Sequence, residues 1–257
     1  MAPTSLLRRC VVMASAIGLI CTLSACGRSD SKVNIDVYAA ASLTTAMTSI
    51  AATFESAEPD IHLVLNFAGS ATLVEQIKQG APADVVVFAD DKQMNDLVEN
   101  GNVNKDSVTT IATNTLALVV EKGNPLNIKS VSDLTSQKIR TVLCDLAQPC
   151  GKYAAQILER SNVDVQPRSW ETSVSGVTQK VASGEADAGI VYVSDALANA
   201  SKLDAVPIDA NINVVNNYPI ATLNELSTTA QKAAQTFIDF VMGDGQKILK
   251  DFGFLSP

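Results

Sequence analysis

Val33-Asn-Ile-Asp-Val-Tyr-Ala-Ala-Ala-Ser42-Leu-Thr-Thr-Ala-Met-Thr-Ser-Ile-Ala-Ala-Thr-Phe54 is the stretch whose reading decides the fold. Val33 to Ala40 reads as a buried strand. After Ser42, the residues Leu43, Ala46, Met47, Ile50, Ala51 and Phe54 recur at the spacing of one helix face. The same grammar of strand, small polar turn and helix then repeats. Ile61 to Phe67 is a second strand, Ala68-Gly69-Ser70 a turn, and Leu73, Val74 and Ile77 mark a helix stopped by Gly80. Asp84 to Phe88 is a third strand, and Met94, Leu97 and Val98 mark a helix closed by Gly101. Thr115 to Glu121 begins another extended stretch. In the second half, Arg140 to Cys144 is a strand, and Pro149-Cys150-Gly151 opens a helix with Ala154, Ile157 and Leu158. A helix from about Val174 to Gly184 precedes the strand Ala188 to Val193, and helices Ser227 to Met242 and Gly245 to Phe252 close the chain. Strands separated by helices predict an α/β architecture with parallel pairing and helices on both faces. With no Gly/Ser/Pro linker in the body, two lobes are expected whose chain crosses between them near residues 113 and 193, forming a hinge.

The chain has 257 residues, enough for one large domain or two lobes with a real core. It is 47% hydrophobic and 18% charged, with only 13 Gly and 9 Pro, which excludes disordered and low-complexity classes. The net charge of −8 and the lack of any Lys/Arg cluster argue against a nucleic-acid partner, whose phosphates need clustered cations. The single histidine, His62, lies in a strand-like run, so His-based metal sites and Ser-His-Asp triads have almost no material.

The first segment reads as an address. Arg8 and Arg9 precede an apolar run from Cys10 to Leu23, too short to span a membrane comfortably, and the run ends in Leu23-Ser-Ala-Cys26-Gly27. This ending resembles a bacterial lipobox, which implies a leader at 1–25, cleavage before Cys26 and lipid on its sulfur. A plain secretory peptide is the alternative. Residues 26–32 then serve as a polar tether, and the remaining body is more acidic still. The body keeps two cysteines, Cys144 and Cys150, flanking a Pro-containing loop. In an oxidising compartment these favour a disulfide over a metal site. Two free thiols remain the alternative, because spacing does not set the Cα separation.

Four helices begin with small or polar residues directly after a strand or loop: at Ser42, Gly69-Ser70, Cys150-Gly151 and Ser173-Val174. Each start leaves unpaired N–H groups and carries roughly half a positive charge. If these ends face one cleft, they offer a small oxyanion a shell of neutral donors, to which Tyr192 at its strand end could add a phenolic O–H. Taken singly, each serine reads as an ordinary helix cap.

Ala39-Ala-Ala-Ser-Leu-Thr44, Phe67-Ala-Gly-Ser-Ala-Thr-Leu73, Gly80-Ala-Pro-Ala-Asp-Val85, Gly189-Ile-Val-Tyr192 and Tyr218-Pro-Ile-Ala221 closely resemble the bacterial molybdate-binding proteins, the extracytoplasmic components of ABC importers. The likeness spans about residues 33–257. It implies a type II periplasmic-binding-protein fold, two α/β lobes on a two-strand hinge that close over molybdate or tungstate. Lobe 1 would comprise 33–112 and 194–257, and lobe 2 would comprise 113–193. Carried over by motif, the ligand shell resembles the hydroxyls of Ser42, Ser70 and Tyr192 and the amides of Cys150 and Val174, without a charged partner. Gly69, Ala71 and the Cys144/Cys150 pair depart from the pattern. The resemblance further implies a monomer, delivery to a membrane permease, no cofactor and no enzymatic activity.

A donor-only shell suits a fully deprotonated tetrahedral dianion, which accepts at every oxygen, whereas phosphate near neutral pH carries a proton and calls for an acceptor. Sulfate shares the donor-free chemistry, so a receptor for sulfate or another oxyanion is the rival within the class. A non-transport surface protein on the same scaffold is the rival outside it. Asp145 is read as a structural acceptor for loop N–H groups, and Asp90-Asp91 as a helix cap rather than a catalytic pair. Trp170 is expected to pack in the second lobe, and Glu185 and Asp187 to be solvated. No nucleophile-elbow, P-loop, zincin or dinucleotide-binding pattern is present.

Overall fold

A computed structural model describes residues 32–257. The leader-like segment and Cys26 lie outside the described residues. Strand β1 (Val33–Ala40) is flanked by β2 (Ile61–Ala68) and β3 (Val85–Val87), both parallel to it, with β1 and β2 in register from Val33–Ile61 to Ala40–Ala68. The connecting helices are α1 (Thr44–Ala57) and α2 (Ser70–Lys78), and α3 (Asp91–Glu99) follows β3.

The 13-residue strand β4 (Thr109–Glu121) joins the two lobes. Its first half pairs antiparallel with β9 (Val215–Thr222), which also borders β3. Its second half pairs with β7 (Ala188–Tyr192) on one side and β8 (Leu203–Pro207) on the other. In the second lobe, β5 (Thr141–Cys144) lies parallel between β7 and β6 (Ser169–Glu171), carrying α4 (Pro149–Arg160), α5 (Val174–Ala182) and α6 (Val193–Ala198). Helices α7 (Thr228–Met242) and α8 (Gly245–Asp251) return to the first lobe. The strand order is β2-β1-β3-β9-β4-β7-β5-β6, with β8 on β4.

Two expectations are corrected. The outer strands pair in parallel, but the central ones are antiparallel, because the chain leaves the first lobe along β4 and comes back along β9. The return does not fall near residue 193, since β8 pairs with Ala117–Glu121 and α6 packs on β4 and β8. Residues 194–207 therefore stay with the second lobe, and the chain recrosses through 208–214 into β9. The run Leu203-Asp-Ala-Val-Pro207 is short, carries a charge and ends in proline, so only the free edge of β4 makes it a strand.

The first-lobe core is anchored where Phe54 meets Phe237 and Phe240 edge-to-face at 5.2 and 5.4 Å. In the second lobe, Gly189 lets α5 lie directly on β7, because a Cβ there would sit 2.5 Å from Val177 Cγ1. Trp170 does not pack inside, being 47% exposed on the edge strand β6. Asp187 is not simply solvated either. Its carboxylate takes the Arg140 side chain and accepts from the Arg140 backbone N–H at 2.7 Å.

Asp195, in the first turn of α6, is buried, and its Oδ2 accepts from Tyr192 N–H at 3.3 Å. Burial pushes its carboxyl up to about 7, against the partial offset of that hydrogen bond. The unfolded chain ionises this group near pH ~4, so the stability it supports is complete below that pH and is lost as pH rises through about 7. Asp195→Asn is expected to stabilise the protein more at pH 8 than at pH 5, by on the order of 2 kcal/mol. Denaturant unfolding at the two pH values checks this, and a pH-independent difference would contradict it.

Candidate functional site

Six segments bring their C-terminal strand ends or following turns to one place between the lobes. β1 runs into a 3-10 turn, Ala41–Leu43, that holds Ser42. β2 runs through Gly69 into α2, whose first residue is Ser70, and β3 ends beside Ala89. From the second lobe, the loop after β5 leads into α4 at Pro149 and Cys150, the loop after β6 leads through Ser173 into Val174 of α5, and β7 ends at Tyr192. Ala40, Ala41, Ser42, Gly69, Ser70, Ala89, Gln148, Pro149, Cys150, Val174 and Tyr192 line a small cavity of about 20 Å³. All five residues predicted as ligand contacts therefore line one cavity, and among the described residues no charged side chain does.

The capping alternative for the two serines does not hold. The N-cap of α2 is Gly69, with no side-chain cap, and the residues before the 3-10 turn and α1 make no side-chain cap either. Ser42 Oγ instead lies 3.0 Å from the Tyr218 hydroxyl, and Ser70 Oγ accepts from Ala89 N–H at 3.1 Å, which leaves its own O–H free to donate. At α5 the helix is capped by Ser173, which accepts from Gly176 N–H, so the amide of Val174 is not consumed by its own cap. The first-turn amides of α2, α4 and α5 have no carbonyl four residues back to bond, and they point outward from three helix N-termini.

Tyr192 is the most telling member. It is 1% exposed, yet its hydroxyl has no hydrogen-bond partner among the described residues. A buried orphan of this kind costs about 1–3 kcal/mol. Burial first, then the neighbouring Tyr218, Tyr153, Asp195 and Asp90, push this hydroxyl well above its ordinary range, so it stays a donor. Its ring meets Tyr218 edge-to-face at 6.0 Å, and Tyr218 meets Phe254 at 5.1 Å, which fixes the phenol's direction.

Cys144 and Cys150 are joined, with Cα atoms 5.7 Å apart, so the disulfide alternative is the one the structure holds. The bond ties the end of β5 to the first turn of α4. Gly151 completes the fit, since a Cβ there would lie 2.1 Å from the Asp145 carbonyl oxygen. Asp145 accepts from Ala147 N–H at 2.8 Å, the structural role expected of it. Asp90 caps α3 by accepting from Lys92 N–H, and it also receives Lys152 Nζ at 2.8 Å from the other lobe.

Sequence reasoning missed four positions. Tyr218 supports Ser42, and Asn216 Nδ2 holds the Ala89 carbonyl at 3.0 Å. Gln148 and Lys152 reach across the cleft. Tyr218 stood inside a motif already quoted, so a signal existed. For the other three no local pattern distinguishes them from ordinary loop and helix residues. Among the described residues, no group of His, Cys, Asp or Glu could hold a metal ion, and no helix is long and apolar enough to cross a membrane.

Residues 35–255 match the sequence profile of the bacterial extracellular solute-binding proteins. The chain is 40% identical over 225 residues to the molybdate-binding protein ModA of Mycobacterium tuberculosis, covering 87% of this chain and 85% of that one. Among solved structures, it superposes on the substrate-binding domain of a putative molybdenum ABC transporter from Clostridium difficile with a TM-score of 0.64 at 28% identity, covering 88% of this chain and 100% of that one. It also shares its fold with the sulfate-binding protein SubI of M. tuberculosis, with a TM-score of 0.76 at 21% identity and 86% of each chain covered. With its two α/β lobes, its hinge strands and the small cavity between them, the chain belongs to the bacterial extracellular solute-binding protein family, in the company of the molybdate-binding proteins.

Proposed function

We propose that this protein captures molybdate, with tungstate as the alternative cargo of the same chemistry, outside the cytoplasmic membrane and hands it to an ABC permease without altering it. The observation that carries this reading is the buried Tyr192 hydroxyl, without a partner among the described residues, in a cavity that those residues line with two serines, three helix starts and no charged side chain. A dianion stripped of water needs a donor at each oxygen. The hydroxyls of Ser42, Ser70 and Tyr192 and the amides of Cys150 and Val174 are such donors, drawn from both lobes. Among the described residues, no carboxylate lines the cavity to accept the proton of a hydrogen phosphate. Sulfate satisfies the same shell in a smaller tetrahedron, so the fit of the cavity decides between them. Nothing in this scheme asks for a nucleophile, a general base or a cofactor, and we read the protein as a monomeric receptor rather than an enzyme. We further propose that Cys26 carries the lipid that keeps the body at the membrane.

Calorimetry of the soluble body with molybdate, tungstate, sulfate and phosphate in turn is expected to show tight binding of the first two and weak or no binding of phosphate. Indifference to molybdate would end the proposal, and a preference for sulfate would move it to the rival oxyanion. Ser42→Ala and Ser70→Ala are each expected to weaken binding by about 1–3 kcal/mol, the cost of leaving a buried charged acceptor short of one donor. Wild-type affinity in both would refute the assignment. For the anchor, Cys26→Ala is expected to move the protein from the membrane to the soluble fraction of cells. An unchanged distribution would point to a plain secretory leader or another tether.

A further inference from the structure

At the rim of the anion cavity and beyond it, the two lobes also touch through side chains that bind each other. Gln148, in the loop closed by the disulfide, lays its amide on the start of α2. Its Oε1 accepts from Ala71 N–H at 3.1 Å, and its Nε2 donates to Thr72 Oγ1 at 3.0 Å. One turn further along α4, Lys152 Nζ meets Asp90 Oδ2 at 2.8 Å. The Asp90 side chain is 1% exposed, whereas that of Lys152 is 41% exposed, so the lysine reaches in from solvent to a carboxylate buried on the opposite lobe. The same lysine lies 5.4 Å from the ring centroid of Tyr153. The approach is close throughout. A Cβ on Gly69 would stand 2.3 Å from both Gln148 Oε1 and the Thr172 carbonyl oxygen, although the φ of −61° at Gly69 suits any residue.

We propose that Gln148 and Lys152 form a latch on α4 that holds the cleft shut over the anion and sets how long the cargo stays. Resting on the oxyanion reading above, the proposal makes both positioning residues, acting through closure. Closure buries the Asp90 carboxylate, and an isolated buried carboxylate is unfavourable. Lys152 supplies its partner only when the lobes meet, so the ion pair is available to the closed state and absent from the open one. Gln148 does the same with neutral groups, engaging an α2 amide that an open cleft leaves to water. Ligand contacts and latch contacts thus add to the same equilibrium, and the latch biases it before any anion arrives.

The test uses stopped-flow release of molybdate together with small-angle X-ray scattering of the anion-free protein. Lys152→Met is expected to speed release about 5- to 50-fold while changing the association rate less than about threefold, and Lys152→Arg to restore slow release. Asp90→Asn, which keeps a capping oxygen for α3, should match Lys152→Met, and the double variant should be no faster than either single one. Gly69→Ala should leave thermal stability near wild type while props in the cleft speed release and expand the anion-free molecule. Unchanged release and unchanged scattering in Lys152→Met and Gly69→Ala would overturn the latch. Rates that simply add in the double variant would do the same. If wild-type protein ignores molybdate, the oxyanion reading fails by itself. The anion-free scattering of the same variants still decides the latch.

Discussion

Burying a double negative charge is tolerable only where hydrogen-bond donors surround it on all sides, and this requirement organises the molecule. Donors from one lobe can cover only one side of a sphere. The cavity draws Ser42 and Ser70 from the first lobe and Cys150, Val174 and Tyr192 from the second, each at a strand end, on the turn after it or in the first turn of the helix that follows. Strand ends in open α/β sheets are where helix N-termini gather, so the fold delivers partial positive charge with no cation in the wall among the described residues. In the proposed reading a neutral wall also leaves release possible, because an anion held by dipoles is let go when the hinge parts them.

The supporting layer turns these donors into a fixed geometry. Tyr218 sits behind Ser42 and against Tyr192, Asn216 holds the Ala89 carbonyl, and the Cys144–Cys150 bond anchors the first turn of α4. These groups gain their value by stopping the donors from turning to other partners, the usual way a binding site avoids the entropic cost of ordering itself around each ligand. The cross-cleft contacts extend the same logic from single side chains to whole lobes. Asp90 caps a helix in one lobe and receives a lysine from the other, so a residue with an ordinary local role becomes an interlobe contact.

Much of the fold was legible from periodicity. The helix faces of Ala46, Met47, Ile50 and Phe54 and of Ala154, Ile157 and Leu158 are buried as the spacing predicts, and the helix ends at Gly80, Gly101 and Gly184 take positive φ. The edge strands were not legible. β6 and β8 are three and five residues long, with patterns too short or too interrupted to separate from loop, and they exist because a neighbouring strand offers an unpaired edge. That is also why the sequence pattern sets the second crossing earlier than the structure does, and why Trp170, on such an edge, stands half-exposed instead of packed.

The residue types at the turns belong to the sequence, because a small polar residue after an apolar strand and before an amphipathic helix has few other uses. With the motifs at Ala39–Thr44 and Gly189–Tyr192, they mark the positions that the structure finds lining one cavity. Convergence belongs to the tertiary structure. Positions 42, 70, 150, 174 and 192 are separated by loops and whole strands, and local periodicity carries no information on which of them meet. The strand order and the hinge decide that, and they also decide that Gln148 and Lys152 face a partner lobe rather than water.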